Sequence, residues 1–384
     1  MRLLAFRSEA ERRPVTQRLM ASLCADRRRS AALGIFLGLA CHVGVHAQAS
    51  AAAVQLSVAD YRAYLPQSHS VRLALQEFAG AVARTSQGQM QVEVLPGTIA
   101  GNPREQIDAL RQGQPGAPQL MLLAATGLSE LEKQLEIFDL PYAVRDEAQV
   151  ESIVEGAQGQ ALLASLQAHG LVGLAWMENG FRQVSTAGAQ LEHAADFKGL
   201  KIRTLPALAS QQAFAAWGAQ PVALAAAQVH SALRAGSVQA QEGFVTQLVQ
   251  SRLHEVQKHL WLTNHSYGAQ VLVVRADVWQ ALNAAQKNVL SEAARAAART
   301  QRLRSRAEVR DALEILASQG MQIHAVSRET VDALAVRTRH LRPQDNARLA
   351  ADAALVSHPA RPGPARASGS APLGAAVPGA CPRC

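Results

Sequence analysis

The stretch from Val54 to Ala125 alternates strand-like and helix-like periods, and this constrains the fold more than any other feature of the chain. Val54 to Tyr64 alternates apolar and polar residues with period two and ends at the turn signals Pro66 and Ser68. Val71 to Thr85 then carries Leu73, Leu75, Phe78 and Val82 at helical spacing and is stopped by Gly88. Met90 to Leu95 alternates again, Asn102-Pro103 opens a helix through Arg111 that Gly113 closes, and Leu120 to Ala125 is an apolar strand. Strand, helix, strand, helix, strand is the mark of a parallel α/β unit.

A second unit follows. Asp146 to His169 reads as one long amphipathic helix, and Leu171 to Trp176 as a strand. In Leu200 to Thr204, Leu200 and Ile202 share one face of a strand while Lys201 and Arg203 share the other. Arg203 therefore stands at a strand's carboxyl end, ahead of Pro206 and a helical run through Trp217. A guanidinium beside a helix amino-terminus makes an anion site, because its fixed N–H donors and the free backbone N–H groups converge. In open α/β sheets, that crevice is also where ligands bind. The competing reading is a solvated strand-end charge, the ordinary state of arginine. Ala225 to Arg234 reads as a helix, and Val238 to Glu242, Leu260 to Leu262 and Gln270 to Val274 as strands. From Ala269 to Gln319 there is no glycine or proline. From Asp277 the pattern is one helix of about 40 residues, about 60 Å long, with Leu290, Ala294, Ala297, Leu303, Leu313 and Leu316 on its apolar face. A helix of that length can brace two lobes.

The net charge of +8 does not signal nucleic-acid binding. The first thirty residues hold +5 and residues 356–384 hold +3, so the body between them is neutral. Arg27 to Arg29, the short apolar run from Ala31 to Ala40 and the small-residue pattern Ala47-Gln48-Ala49 read as an export signal cleaved near Ala49, with Met1 or Met20 as the start. The four cysteines, Cys24, Cys41, Cys381 and Cys384, lie in this signal and in the alanine-, proline- and glycine-rich tail, where residues 346–384 are too poor in apolar surface to fold. His254 and His259 are five apart, about 140° around a helix, and so do not form a shared metal site. The chain carries no nucleophile elbow, Walker loop, dinucleotide fingerprint or zincin motif, and nothing in it asks for a cofactor.

Four segments carry a resemblance: IFDLPY (Ile137 to Tyr142), GLAWMENGFRQV (Gly173 to Val184), DFKGLKIRT (Asp196 to Thr204) and EVQKHLWLTNH (Glu255 to His265). In this order and spacing the chain, from about Leu65 to His324, resembles the DctP-type solute-binding proteins of tripartite ATP-independent periplasmic (TRAP) transporters. The resemblance implies an α/β, two-lobed periplasmic binding protein fold with a long helix spanning both lobes. It implies a receptor that is not an enzyme, and that binds a small-molecule carboxylate and delivers it to the membrane permease subunits. Residues 50–179 and 268–307 would form the first lobe, and 180–267 and 308–345 the second. Arg203 would clamp the carboxylate bidentately, with Arg182 assisting.

The sequence departs from the family at Gln239 to Phe244, where Gly243 stands in place of an amide, and at Ala226 and His230 in place of aromatics. Phe244, Thr246 or Gln247 would then supply the lost contacts. Gln67 and His69, after the first strand, and Thr126, after the third, would line the facing wall. Trp217 reads as helix packing and Glu242 as a buried hinge carboxylate. The alternatives are a receptor for a sensor, a scavenger without a transporter, and an exported enzyme acting on organic acids, which would require a base or nucleophile in the cleft.

Overall fold

The computed structural model describes residues 53–62 and 65–341. The expected export signal, all four cysteines and the tail lie outside the described residues. Among the described residues ten strands are formed: β1 (Val54–Asp60), β2 (Met90–Val94), β3 (Leu120–Ala124), β4 (Leu171–Thr186), β5 (Lys201–Thr204), β6 (Gln220–Ala223), β7 (Ala240–Phe244), β8 (His259–Leu262), β9 (Tyr267–Arg275) and β10 (Gln322–Ala325).

The first α/β unit folds as its periodicity requires. β1 pairs in parallel with both β2 and β3, and the helices Ser70–Thr85 and Pro103–Gln112 connect them. Asn102 caps the second helix in a reciprocal capping box with Glu105, and Gly113 closes it at φ 60°, a left-handed position that suits glycine. β1 is shorter than expected. It stops at Asp60 because Arg62 turns back, donating from its backbone N (2.6 Å), Nε and Nη2 (2.9 Å each) to the Asp60 carboxylate.

β4 joins the two halves. Expected to end at Trp176, it runs sixteen residues to Thr186. Its first part pairs antiparallel with β9, and Arg182 to Thr186 pair antiparallel with β7. The register shifts between Glu178 and Phe181, and Gly180 sits there at φ 82°. The strand order is β2-β1-β3-β9-β4-β7-β5-β6, with β8 pairing with β4 and β10. β6, with Pro221, was not anticipated; it lies at the sheet edge, where a residue without an N–H is tolerated. β7 extends to Phe244 rather than Glu242 because its partner β4 continues to Arg182.

Two helices expected to be continuous are broken. Asp146 to His169 divides into Glu147–Glu155 and Ala157–Ser165. A Cβ on Gly156 would lie 2.3 Å from the Ser152 carbonyl oxygen, and one on Gly159 2.4 Å from that of Ile153, so the glycines permit a tight corner. The long helix begins at Ala284, capped by Asn283, and runs 35 residues to Ser318, about 52 Å. The segment Ala276–Ala281 before it is a separate helix. The helix does connect two regions. Leu290, Ala293, Ala294, Ala297 and Ala298 pack in the core beneath β1, β3 and β9, while Ala312 and Leu316 pack with Val245, Leu248 and Leu260. Leu303 is not on its buried face; it is 67% exposed.

Candidate functional site

Arg203 is 2% exposed on β5. Its Nε donates to the Leu224 carbonyl (3.0 Å) and its Nη1 to that of Glu242 (3.2 Å). Arg182, on β4 directly opposite Phe244, donates from Nη2 to the same Glu242 carbonyl (3.3 Å) and from Nε to the Glu242 carboxylate. The two guanidinium groups thus meet at one carbonyl oxygen, between the end of β5 and β7.

Glu242 organises this meeting. Its second carboxylate oxygen accepts from the Leu205 backbone N (2.9 Å), just beyond β5, and His265 Nε2 stands 3.6 Å from the first. Burial pushes the carboxyl up. The charge of Arg182, the contact with His265 and the charge of Arg203 outweigh it and hold Glu242 well below the usual carboxylate range. His265 is lowered as well, because its burial favours the neutral ring against the pull of Glu242. Asp139, from the IFDLPY segment, borders the same place: with Arg182, Leu205, Ser210, Phe214 and His265 it lines a cavity of about 10 Å³, room for a single water. Burial raises Asp139 to about 7, against the pull of its Thr126 hydrogen bond (2.6 Å) and the charge of Arg182.

Four of the other expected site residues fall near this centre. The Phe244 ring lies 4.5 Å from Arg182 Cζ, a cation–π contact. Gly243 sits beneath Gln241 and Gln247: a Cβ there would meet their Oε1 atoms at 3.0 and 3.2 Å, so two amides occupy the space a side chain at 243 would need. Thr126 lies in the short helix Ala125–Leu128, and its hydroxyl donates to Asp139. On the first unit, His69 caps the helix Ser70–Thr85, its Nδ1 accepting from Val71 N (3.2 Å), and burial together with the charge of Arg62 lowers it to about 4. Gln67 is exposed, two residues before that cap. Ala226 is exposed at the start of the helix Ala226–Arg234, and His230 faces Glu255 at 3.5 Å.

Sequence reasoning did not single out Tyr61, Arg62, Asn179 or Gln270, which form a polar cluster at the ends of β1 and β3. Arg62 Nη1 donates to Asn179 Oδ1 (2.7 Å), while Asn179 Nδ2 and Gln270 Nε2 each donate to the Tyr61 hydroxyl oxygen at 3.3 Å. A signal existed for part of it: Asn179 lies inside the GLAWMENGFRQV segment, as Asp139 lies inside IFDLPY and His265 inside EVQKHLWLTNH.

The family profile of bacterial extracellular solute-binding protein family 7, DctP, matches residues 62–341. The chain belongs to that family. The DctP-family chain is 29% identical over 236 residues to the 2,3-diketo-L-gulonate-binding periplasmic protein YiaO of Escherichia coli strain K12, covering 62% of this chain and 71% of that one. Among solved structures it resembles a TRAP periplasmic solute-binding protein of Ochrobactrum anthropi whose C-terminus is bound in the ligand-binding pocket (TM-score 0.74, 28% identity, 80% and 96% of the two chains). It also resembles one from Polaromonas sp. JS666 bound to D-erythronate (TM-score 0.69, 28% identity, 79% and 98%). The two-lobed α/β fold implied by the four segments is therefore that of the DctP family, and the family is one of extracytoplasmic transport receptors. Among the described residues no helix is long and apolar enough to cross a membrane.

Proposed function

We propose that this DctP-family chain is an exported receptor that holds the carboxylate of a small organic acid against Arg203 and Arg182 and hands it to the membrane subunits of a TRAP transporter. In this reading residues 50–179 and 268–307 form one lobe and 180–267 with 308–345 the other, and the lobes close by hinge motion as periplasmic binding proteins do. The cycle is binding, closure and release, with no chemical step.

The observation that carries this reading is the convergence of both guanidinium groups on the Glu242 carbonyl. Two like charges side by side repel. An anion set against both relieves that repulsion and gains charge-assisted, bidentate hydrogen bonds. Glu242 supports the arrangement from behind by fixing Arg182 and the chain at Leu205. The names of the relatives agree in kind, since YiaO is described as binding a keto sugar acid and the Polaromonas protein holds D-erythronate.

Arg203→Ala should weaken binding of the cognate acid by about 2–5 kcal/mol, because the carboxylate would be buried without its partner. Thermal-shift titration of the parent against keto acids, sugar acids and dicarboxylates identifies the acid. A ligand at one hundred times Kd stabilises by about 2.7 kcal/mol, a shift easily read. If Arg203→Ala binds that acid as tightly as the parent does, the clamp is elsewhere.

A further inference from the structure

We propose that the crevice holds a second subsite that recognises hydroxyl groups, built from Tyr61, Asn179, Gln270 and the Asp60–Arg62 pair, and that the solute is a hydroxylated monocarboxylate rather than a simple dicarboxylate. The proposal rests on the carboxylate reading of Arg203 and Arg182 and adds what the other end of the solute must be.

Gln270 is fully buried on β9, and its Oε1 has no hydrogen-bond partner among the described residues. Its Nε2 is engaged by the Tyr61 hydroxyl oxygen. A buried acceptor without a donor is costly, and buried side-chain polar atoms are generally satisfied, so this one asks for a proton donor. Tyr61 Oη already accepts from both Asn179 and Gln270, which leaves its own O–H to donate. The cluster thus offers an acceptor and a donor together.

Charge selects the same chemistry. The Asp60 carboxylate is bound bidentately by Arg62, whose third donor goes to Asn179, so the pair is neutral and its donors are engaged within the cluster. A second carboxylate brings only acceptors: it would give Gln270 no proton and would face Asp60. A hydroxyl both donates and accepts.

The placement suits a ligand that reaches both sites. The cluster stands at the carboxyl end of β1, with Gln270 paired to Ala124 at the end of β3, where open α/β sheets bind their ligands. A single side-chain layer connects it to the arginines. A Cβ on Gly268 would lie 2.4 Å from Phe244 and 3.0 Å from Asn179 Cβ, so these two side chains flank one glycine, and Phe244 packs in turn on Arg182.

The test is titration calorimetry of the parent with two matched sets, butyrate, succinate and D-erythronate at four carbons, and hexanoate, adipate and gluconate at six. The hydroxylated acid of at least one set should bind at least tenfold tighter than both its deoxy analogue and its dicarboxylate, as a site built for hydroxyls discriminates. Gln270→Leu should bring the hydroxylated acid down to its deoxy analogue while leaving the latter unchanged, and Asp60→Asn should reduce the same ratio. A dicarboxylate binding tightest in the parent overturns the proposal. So does a Gln270→Leu variant that weakens both members of a pair equally. Failure of the carboxylate reading is distinct: either no acid binds, or Arg203→Ala leaves every affinity unchanged.

Discussion

At the scale of single residues, two buried carboxyl groups near the arginines respond to pH with opposite sign. Glu242 is held below the usual range, so its contribution to stability is present above that range and is lost only in strong acid. Asp139 is raised from 3.8 to about 7. Its folded form binds the proton more tightly than the unfolded chain does, so its contribution is complete below pH 3.8 and is lost as pH rises to 7. Asp139→Asn, which keeps an oxygen for the Thr126 hydroxyl, should therefore melt higher than the parent at pH 8, with the difference closing towards pH 4. Comparing the two proteins cancels His69, which is lowered to about 4 and titrates in the same window. Melting temperatures at the two pH values decide the matter; an equal difference at both would mean that burial does not govern Asp139. The sequence singled out Arg203 and Arg182, which the fold brings to one carbonyl oxygen, because each stands in a short alternating segment within a family motif. Gln270 and Tyr61 were illegible because nothing local marks a glutamine in an apolar strand or a tyrosine after one as partners. They meet only through pairing of residues some 209 positions apart.

At the scale of elements, what could be read from the chain was what local periodicity controls. The helices Ser70–Thr85 and Pro103–Gln112 appear within a residue of their expected ends, because capping residues and apolar spacing agree there. β4 ran past its expected end because its length is set by two partner strands, β9 and β7, that lie far along the sequence. The long helix shows the same division between local and tertiary control. Its apolar positions fix where it is helical, but the packing decides which of them are buried. Leu303 projects into solvent, whereas Leu290 and Leu316 are fully buried in different cores. Leu303→Gln should consequently change stability by less than about 0.5 kcal/mol. Leu290→Ala and Leu316→Ala should each cost about 2–5 kcal/mol, as large-to-small core changes do. Chemical denaturation of the three variants checks this, and a Leu303→Gln cost comparable with the other two would contradict the assigned face.

At the scale of the whole molecule, the long helix is tied to the crossover strand at one point. Gln301 brackets the backbone of Glu178, accepting from its N (2.9 Å) and donating to its carbonyl (2.8 Å). Around it, Arg306 pairs with the Glu178 carboxylate (2.9 Å) and with Glu151 (2.7 Å), and the Tyr267 hydroxyl donates to Glu178. Arg302 adds a bond to the Trp176 carbonyl (2.8 Å) and ion pairs to Glu151 and Glu155. Glu178 is also where β4 changes register before passing from β9 to β7. The helix therefore holds the strand just ahead of its register shift, and it continues from the core of Leu290 into that of Leu316. This predicts that the lobes unfold as one cooperative unit. Gln301→Leu would leave a backbone N–H and a carbonyl of Glu178 buried without these partners, at about 1–3 kcal/mol each. In scanning calorimetry the variant should melt lower than the parent, still in a single transition, because the helix continues to pack in both cores, through Leu290 in one and Leu316 in the other. Two resolved transitions in the parent would show that the lobes are thermodynamically independent and that the long helix does not couple them.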